Sequence, residues 1–387
     1  MRGWLLIAVL AGMPGLGVQA RSTPDPAPVE ARVPWAPSVF TGGDGRRHLA
    51  YELHLTNFYS DTGTLTLDGL DVTADGATQP LLHLDAKGVA AAIKPAPDEG
   101  AAATVEAGKR GIVYVWITLA PDKPVPKQLR HHVDMTAKGH DFVLDGAAID
   151  VSPIPAPVIG PPLRGGHWLA HEGPGAWRSH HWGSLVAVNG NLTIPQRYAI
   201  DFVGVDASGH ALKAGVRDLQ ATKYADWVGY DAEVIAVADG VVVASRDGQQ
   251  EHEPLKPQPE PDSLTTDGLF GNYVVLAIGE NQYAGYAHLV RGSVRVKAGD
   301  HVHRGQVLGR LGQSGNSAAP HLHFQLANAK TFEGSEGIPY VFDQFDAYGD
   351  ESEGQLFGQG EAWHATGPVS HRAQLPLDGT VVGFPAK

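Results

Sequence analysis

The residues best suited to chemistry lie in Pro320-His321-Leu322-His323-Phe324-Gln325-Leu326, where two imidazoles stand two positions apart. Apolar and polar residues alternate here, which predicts a β-strand, and a side-chain period of two puts His321 and His323 on one face. Neutral imidazoles and carboxylates are the donors zinc takes in hydrolytic sites, which leave one position open for water. The pair therefore directs attention to strand-borne acids and histidines elsewhere in the chain. Asp201 qualifies, because a solvated acid is out of place inside the apolar run Ala199-Ile200-Asp201-Phe202-Val203. His288, in Tyr286-Ala287-His288-Leu289, is the next candidate. Two other histidine pairs are assigned no chemistry. His301 and His303 fall in the glycine-bounded turn 299–305 without an acidic partner, and His131-His132 reads as a solvated strand end.

The elements that must position these groups are short strands. The 48 glycines and 28 prolines among 387 residues break the chain into brief Val/Ile/Leu runs, which predicts an all-β fold. Residues 1–20 read as a secretory signal: Arg2, an apolar run over 4–13, and the small-residue site Val18-Gln19-Ala20. That run is too short to cross a bilayer, so no membrane span is expected after its removal. Residues 21–37 are rich in Pro and Ala and read as a linker. Alternation in Leu49-Ala50-Tyr51-Glu52-Leu53-His54-Leu55 and Gly111-Ile112-Val113-Tyr114-Val115-Trp116-Ile117 predicts an N-terminal immunoglobulin-like β-sandwich over 38–152. A Pro-rich linker at 153–165, a second all-β domain at 166–350 and a C-terminal tail at 351–387 complete the expected organisation. The net charge of −13 excludes nucleic acid as a partner, since phosphate binding needs a basic surface. The absence of cysteine excludes a disulfide scaffold, a thiol enzyme and a lipid anchor on an N-terminal Cys.

Taken together, several segments carry a family resemblance. Ala287-His288-Leu289, the turn Lys297-Ala298-Gly299-Asp300-His301-Val302 with Gly305-Gln306, the loop Gly312-Gln313-Ser314-Gly315-Asn316-Ser317 and Pro320-His321-Leu322-His323-Phe324 resemble the lysostaphin/LytM-type zinc metallopeptidases, which cut peptide cross-links of bacterial peptidoglycan. The order and spacing match over about 197–326. The resemblance implies an antiparallel β-sheet metallopeptidase domain of the LytM type with Zn2+ as cofactor. It makes Asp201 and His323 metal ligands, and sets His288 and His321 beside the activated water as general base and transition-state stabiliser. Imidazoles suit those roles, since they exchange protons near neutral pH.

One position departs from the family, which has a further histidine ligand four residues before the aspartate. Here that position is Arg197, and a guanidinium has no lone pair to offer a metal. Either the site is degenerate or another residue supplies the ligand. The segment 184–202 predicts a hairpin with Gly190-Asn191 in the turn, pairing Asn189 with Leu192 and carrying His180 opposite Asp201. Cross-strand Cβ atoms are about 5 Å apart, so His180 could reach the metal, or His181 if the register slips by one. The expected function is an exported zinc endopeptidase, periplasmic or extracellular, acting on peptidoglycan peptides, with the sandwich as a positioning or protecting module. The alternative is a non-catalytic module that binds peptidoglycan or activates a partner wall hydrolase.

Overall fold

The strand Arg47–Asn57 is buried along nearly its whole length, on both faces, and it organises the first half of the chain. A computed structural model describes residues 27–386 apart from Trp177, Pro259 and Asp262, so the expected signal at 1–20 lies outside the described residues. Leu49, Tyr51, Leu53 and Leu55 point one way, into a core shared with Leu65, Leu67, Leu70, Val72, Val133 and Met135. This core lies between two five-stranded sheets. One is built around Arg47–Asn57 and Arg110–Leu119, the other around Leu65–Ala74, Gln128–Ala137 and His140–Asp150. The alternate residues His48, Ala50, Glu52 and His54 point the other way and are buried as well. Ala50, Ile112 and Tyr114 join Phe40 in packing against Trp182, Ile194 and Tyr198 of the second half.

Three expected boundaries are corrected. Val29–Arg32, inside the expected linker 21–37, pairs antiparallel with Arg47–Asn57 and extends the sandwich. Val158–Ile159, inside the expected linker 153–165, pairs in parallel with Val341–Phe342, and Ile159 and Leu163 are buried. Proline removes donors from such a segment without preventing its apolar residues from docking at an edge. Thr380–Gly383, in the expected tail 351–387, is an interior strand of the main sheet, flanked by His167–His171 and Phe345–Asp350. His131 is also corrected. Far from being solvated, it is fully buried, with its Nε2 2.9 Å from the Tyr51 hydroxyl and its Nδ1 2.9 Å from the Ala147 carbonyl.

The second half is built on a ten-stranded antiparallel sheet. Its centre runs Tyr273–Gly279, Gln282–Ala287, Leu322–Ala327, Ile200–Val205, His167–His171. The expected hairpin register does not hold. The turn is Asn189-Gly190, both at positive φ of 50° and 80°, and it pairs only Val186–Val188 with Asn191–Thr193. Pro195 then interrupts the run, since it has no N–H for a ladder. Asp201 lies opposite His171 on one side and His323 on the other, so His180 is not its cross-strand partner.

Candidate metal centre

Asp201 sits mid-sheet on Ile200–Val205, with Ile200 and Phe202 turned into the core behind it. Three imidazole nitrogens converge on its Oδ1: His323 Nδ1 at 2.9 Å, His321 Nε2 at 3.3 Å and His181 Nε2 at 3.4 Å. His323 arrives by strand pairing, directly opposite Asp201. His321 precedes that strand at an isolated bridge to Gly312. His288 follows Gln282–Ala287 in a left-handed conformation, φ 63°, with its backbone N–H bonded to Phe270 O. Its ring centroid is 4.8 Å from that of His321.

Each imidazole is oriented by what its outer nitrogen touches. Nδ1–H of His181 donates to Glu172 O at 2.9 Å, that of His321 to Ala319 O at 2.8 Å, and that of His288 to Ser314 O at 2.7 Å. For His323 the outer nitrogen is Nε2, which donates to Gln325 Oε1 at 3.0 Å. Partners of this kind fix the tautomer of a neutral ring, whose lone pair is then on the nitrogen that faces inward. Ser314 reaches His288 because Gly271 and Gly315 let two loops touch; a Cβ at Gly271 would lie 2.4 Å from the Ser314 backbone.

The charges follow from this packing. Burial alone would push the Asp201 carboxyl up, but His321 and His181 outweigh it and hold it well below the usual carboxylate range. Burial drives His181 down to about 4, against the pull of Asp201. Burial also holds His288 well below its ordinary value, and the neighbouring His321 and His323 push the same way. His321 moves up, because Asp201 and the bond to Ala319 overcome the burial. Adjacent imidazoles shifted in opposite directions suit one for accepting a proton and the other for holding one.

His180 differs from His181. It is exposed, and its Nδ1 lies 3.3 Å from Glu172 Oε2. One ligand atom from each of His180, His181 and Asp201 nevertheless lies within 4.8 Å of the others. The pair comes from the loop after His167–His171, not from the hairpin that sequence reasoning proposed. Glu172 and Gln325 escaped that reasoning. Gln325 had a signal, two places beyond His323 on the same strand face; Glu172 acts through its backbone carbonyl, which no side-chain pattern marks. His301 and His303 stay exposed and away from this cluster, with His301 opening a two-residue edge strand.

Arg197 is buried and aimed elsewhere. Its Nε and one terminal nitrogen bond Glu52 Oε1 and Oε2, both at 2.8 Å; that same terminal nitrogen lies 2.8 Å from Glu336 Oε2, and the other donates to Gly337 O at 3.1 Å. Burial raises Glu336, with the Glu52 charge adding to it against the pull of Arg197.

The donor set, an anionic carboxylate oxygen with imidazole lone pairs, fits zinc. The sharpest local sign is His181 Nε2, buried and without a hydrogen-bond partner. These groups open onto a groove of about 660 Å³ lined by Asp201, His288, His321 and His323 together with Trp227 and Phe270.

Comparison with known proteins bears on the same stretch. Residues 226–333 match Peptidase family M23. This part of the chain is an M23 peptidase domain. Peptidoglycan DD-endopeptidase ShyA from Vibrio cholerae serotype O1 is 43% identical over 56 residues, 14% of this chain and 13% of the relative. The match thus spans about an eighth of that relative's length. Among solved structures, the catalytic domain of lysostaphin from Staphylococcus simulans is 20% identical over 45% of this chain and 88% of its own, with a TM-score of 0.24. A putative peptidase M23 from Pseudomonas aeruginosa is 15% identical over 71% of this chain and 90% of its own, with a TM-score of 0.26. The M23 domain contains His288, His321 and His323, while Asp201 and His181 come from outside the matched stretch.

Proposed function

We propose that the chain is an exported zinc-dependent endopeptidase hydrolysing peptide bonds of bacterial cell-wall peptidoglycan, in the periplasm or outside the cell. The observation that carries this reading is the convergence of three imidazole nitrogens on Asp201 Oδ1 at the floor of a groove. The substrate class is supported by the M23 domain and by the relative named as a peptidoglycan DD-endopeptidase. Asp201, His323 and His181 would hold the ion, with His180 as the exposed alternative to His181. Zinc bound there would supply Lewis acidity and lower the pKa of water toward 7. His288 is kept neutral by burial, and its Nδ1–H is tied to Ser314, so its Nε2 can take the proton of the attacking water. His321 is tied at Nδ1 to Ala319 and can hold a proton at Nε2, from which it would donate to the oxygen of the scissile peptide as charge develops. Among the described residues no helix is long and apolar enough to cross a membrane.

The test is release of soluble fragments from purified peptidoglycan. Release abolished by a chelator, restored by zinc and lost in His321→Ala supports the reading. Binding without release in the zinc-loaded protein would favour the non-catalytic module, with a wall hydrolase as its partner.

A further inference from the structure

His181 is carried by a loop whose next residue is anchored in the other domain. The Trp182 indole N–H donates to Glu52 Oε1, which also accepts from Arg197 Nε. The Trp182 ring is enclosed by sandwich aromatics, with centroids 5.4 Å from Tyr114 and 6.0 Å from Trp116, both edge-on. Lys94 of the sandwich covers the following residue so closely that a Cβ at Gly183 would meet its Nζ at 1.8 Å. Within its own domain the loop leans chiefly on Glu172 and on itself: the Glu172 carbonyl accepts from His181 Nδ1–H at 2.9 Å and from Ser179 Oγ–H at 3.0 Å, Glu172 Oε2 accepts from His180 N–H at 2.9 Å, and His181 N–H donates to Ser179 Oγ at 3.0 Å. Glu52 thus grips two things at once, the arginine that stands where the family has a ligand and the neighbour of the histidine able to replace it.

We propose that the sandwich is a structural half of the metal centre, and that Glu52 is a positioning residue that sets zinc affinity by fixing the loop bearing His181. This rests on the reading in which Asp201, His323 and His181 hold the metal. A ligand whose approach is preset binds the ion without first ordering its loop; a loosened loop gives up part of that advantage.

The full chain is titrated with zinc against a chromophoric chelator, and the cobalt-loaded protein is examined by visible absorption, which reports the ligand set. Glu52→Ala is expected to weaken zinc binding roughly tenfold or more, the range for groups that orient a ligand, and to move the cobalt spectrum toward that of His181→Ala. Trp182→Phe removes the indole donor and trims the ring while leaving an aromatic group in the enclosure; it is expected to weaken binding about threefold or more, with the same direction of spectral change. Wild-type affinity and spectrum in both variants would overturn the proposal, and Trp182→Phe alone decides it if Glu52→Ala does not fold. Zinc binding that His181→Ala leaves unchanged would instead overturn the metal-centre reading, and this proposal with it.

Discussion

His180 and His181 are adjacent in sequence and opposite in environment, and the difference lies in one nitrogen each. His181 offers a buried, unpartnered Nε2 beside Asp201, whereas His180 spends its Nδ1 on Glu172 at the groove edge. His181→Ala is therefore expected to lower zinc affinity by more than about 100-fold, beyond what loss of an orienting partner costs, and His180→Ala to stay within about threefold of wild type. Metal titration of the two proteins checks this; equal losses would contradict it. Gln325→Leu removes the acceptor that holds His323 Nε2, and affinity should fall about 10–100-fold while the ligand itself remains. Asp201, His321 and His323 stand out in the sequence because an acid in an apolar run and histidines at strand spacing break local rules visibly, His288 is marked by the family resemblance, and the structure brings the four side chains together. The difference in setting between His180 and His181 was not legible there. It depends on a backbone carbonyl at Glu172 and on the left-handed turn there, φ 54°, neither of which is written in side-chain pattern.

At the scale of elements, alternation was a good guide where strands were long and a poor one where they were short. Arg47–Asn57 and Arg110–Leu119 announce themselves over ten or more residues. Thr380–Gly383 offers only four, and a run of that length has no period to read. Its place inside the sheet means that truncation after residue 350 should abolish folding of the second half. Val381 and Val382 would be lost and the edge of His167–His171 laid open, so soluble yield and protease resistance should both collapse. The sandwich makes a separate prediction. Burial lowers His131 from 6.5 to about 4, against its bond to Ala147. The unfolded chain thus takes up a proton between those values that the folded chain refuses. Stability from this group is present above pH 6.5 and lost as pH falls toward 4, by on the order of 3 kcal/mol. His131→Gln cannot titrate and should show a shallower loss between pH 7 and pH 4 in urea denaturation; parallel curves would contradict it.

Across the whole molecule, the two halves meet around a buried cation. Glu52 comes from the sandwich, Glu336 from the second half, and Arg197 stands between them. Arg197→Ala would strand two carboxylates away from water, a change that costs about 3–5 kcal/mol when a buried pair loses one partner. Chemical denaturation should register that loss, and a change below about 1 kcal/mol, the size of an exposed pair, would show that water enters the interface. The strand Arg47–Asn57, covered on both faces, carries a consequence for how such a protein can change over generations. Its odd positions answer to the sandwich, while Ala50 and Glu52 on the other face answer to the neighbouring domain, so the gene segment encoding it cannot be exchanged as a free-standing cassette. A graft of the second half onto a different leader would uncover Trp182, Ile194 and Tyr198 together, a patch that invites self-association. Divergence must then run in matched steps, a change at position 52 drawing its compensation from 182 or 197 in the partner domain, and the two halves are inherited as one unit.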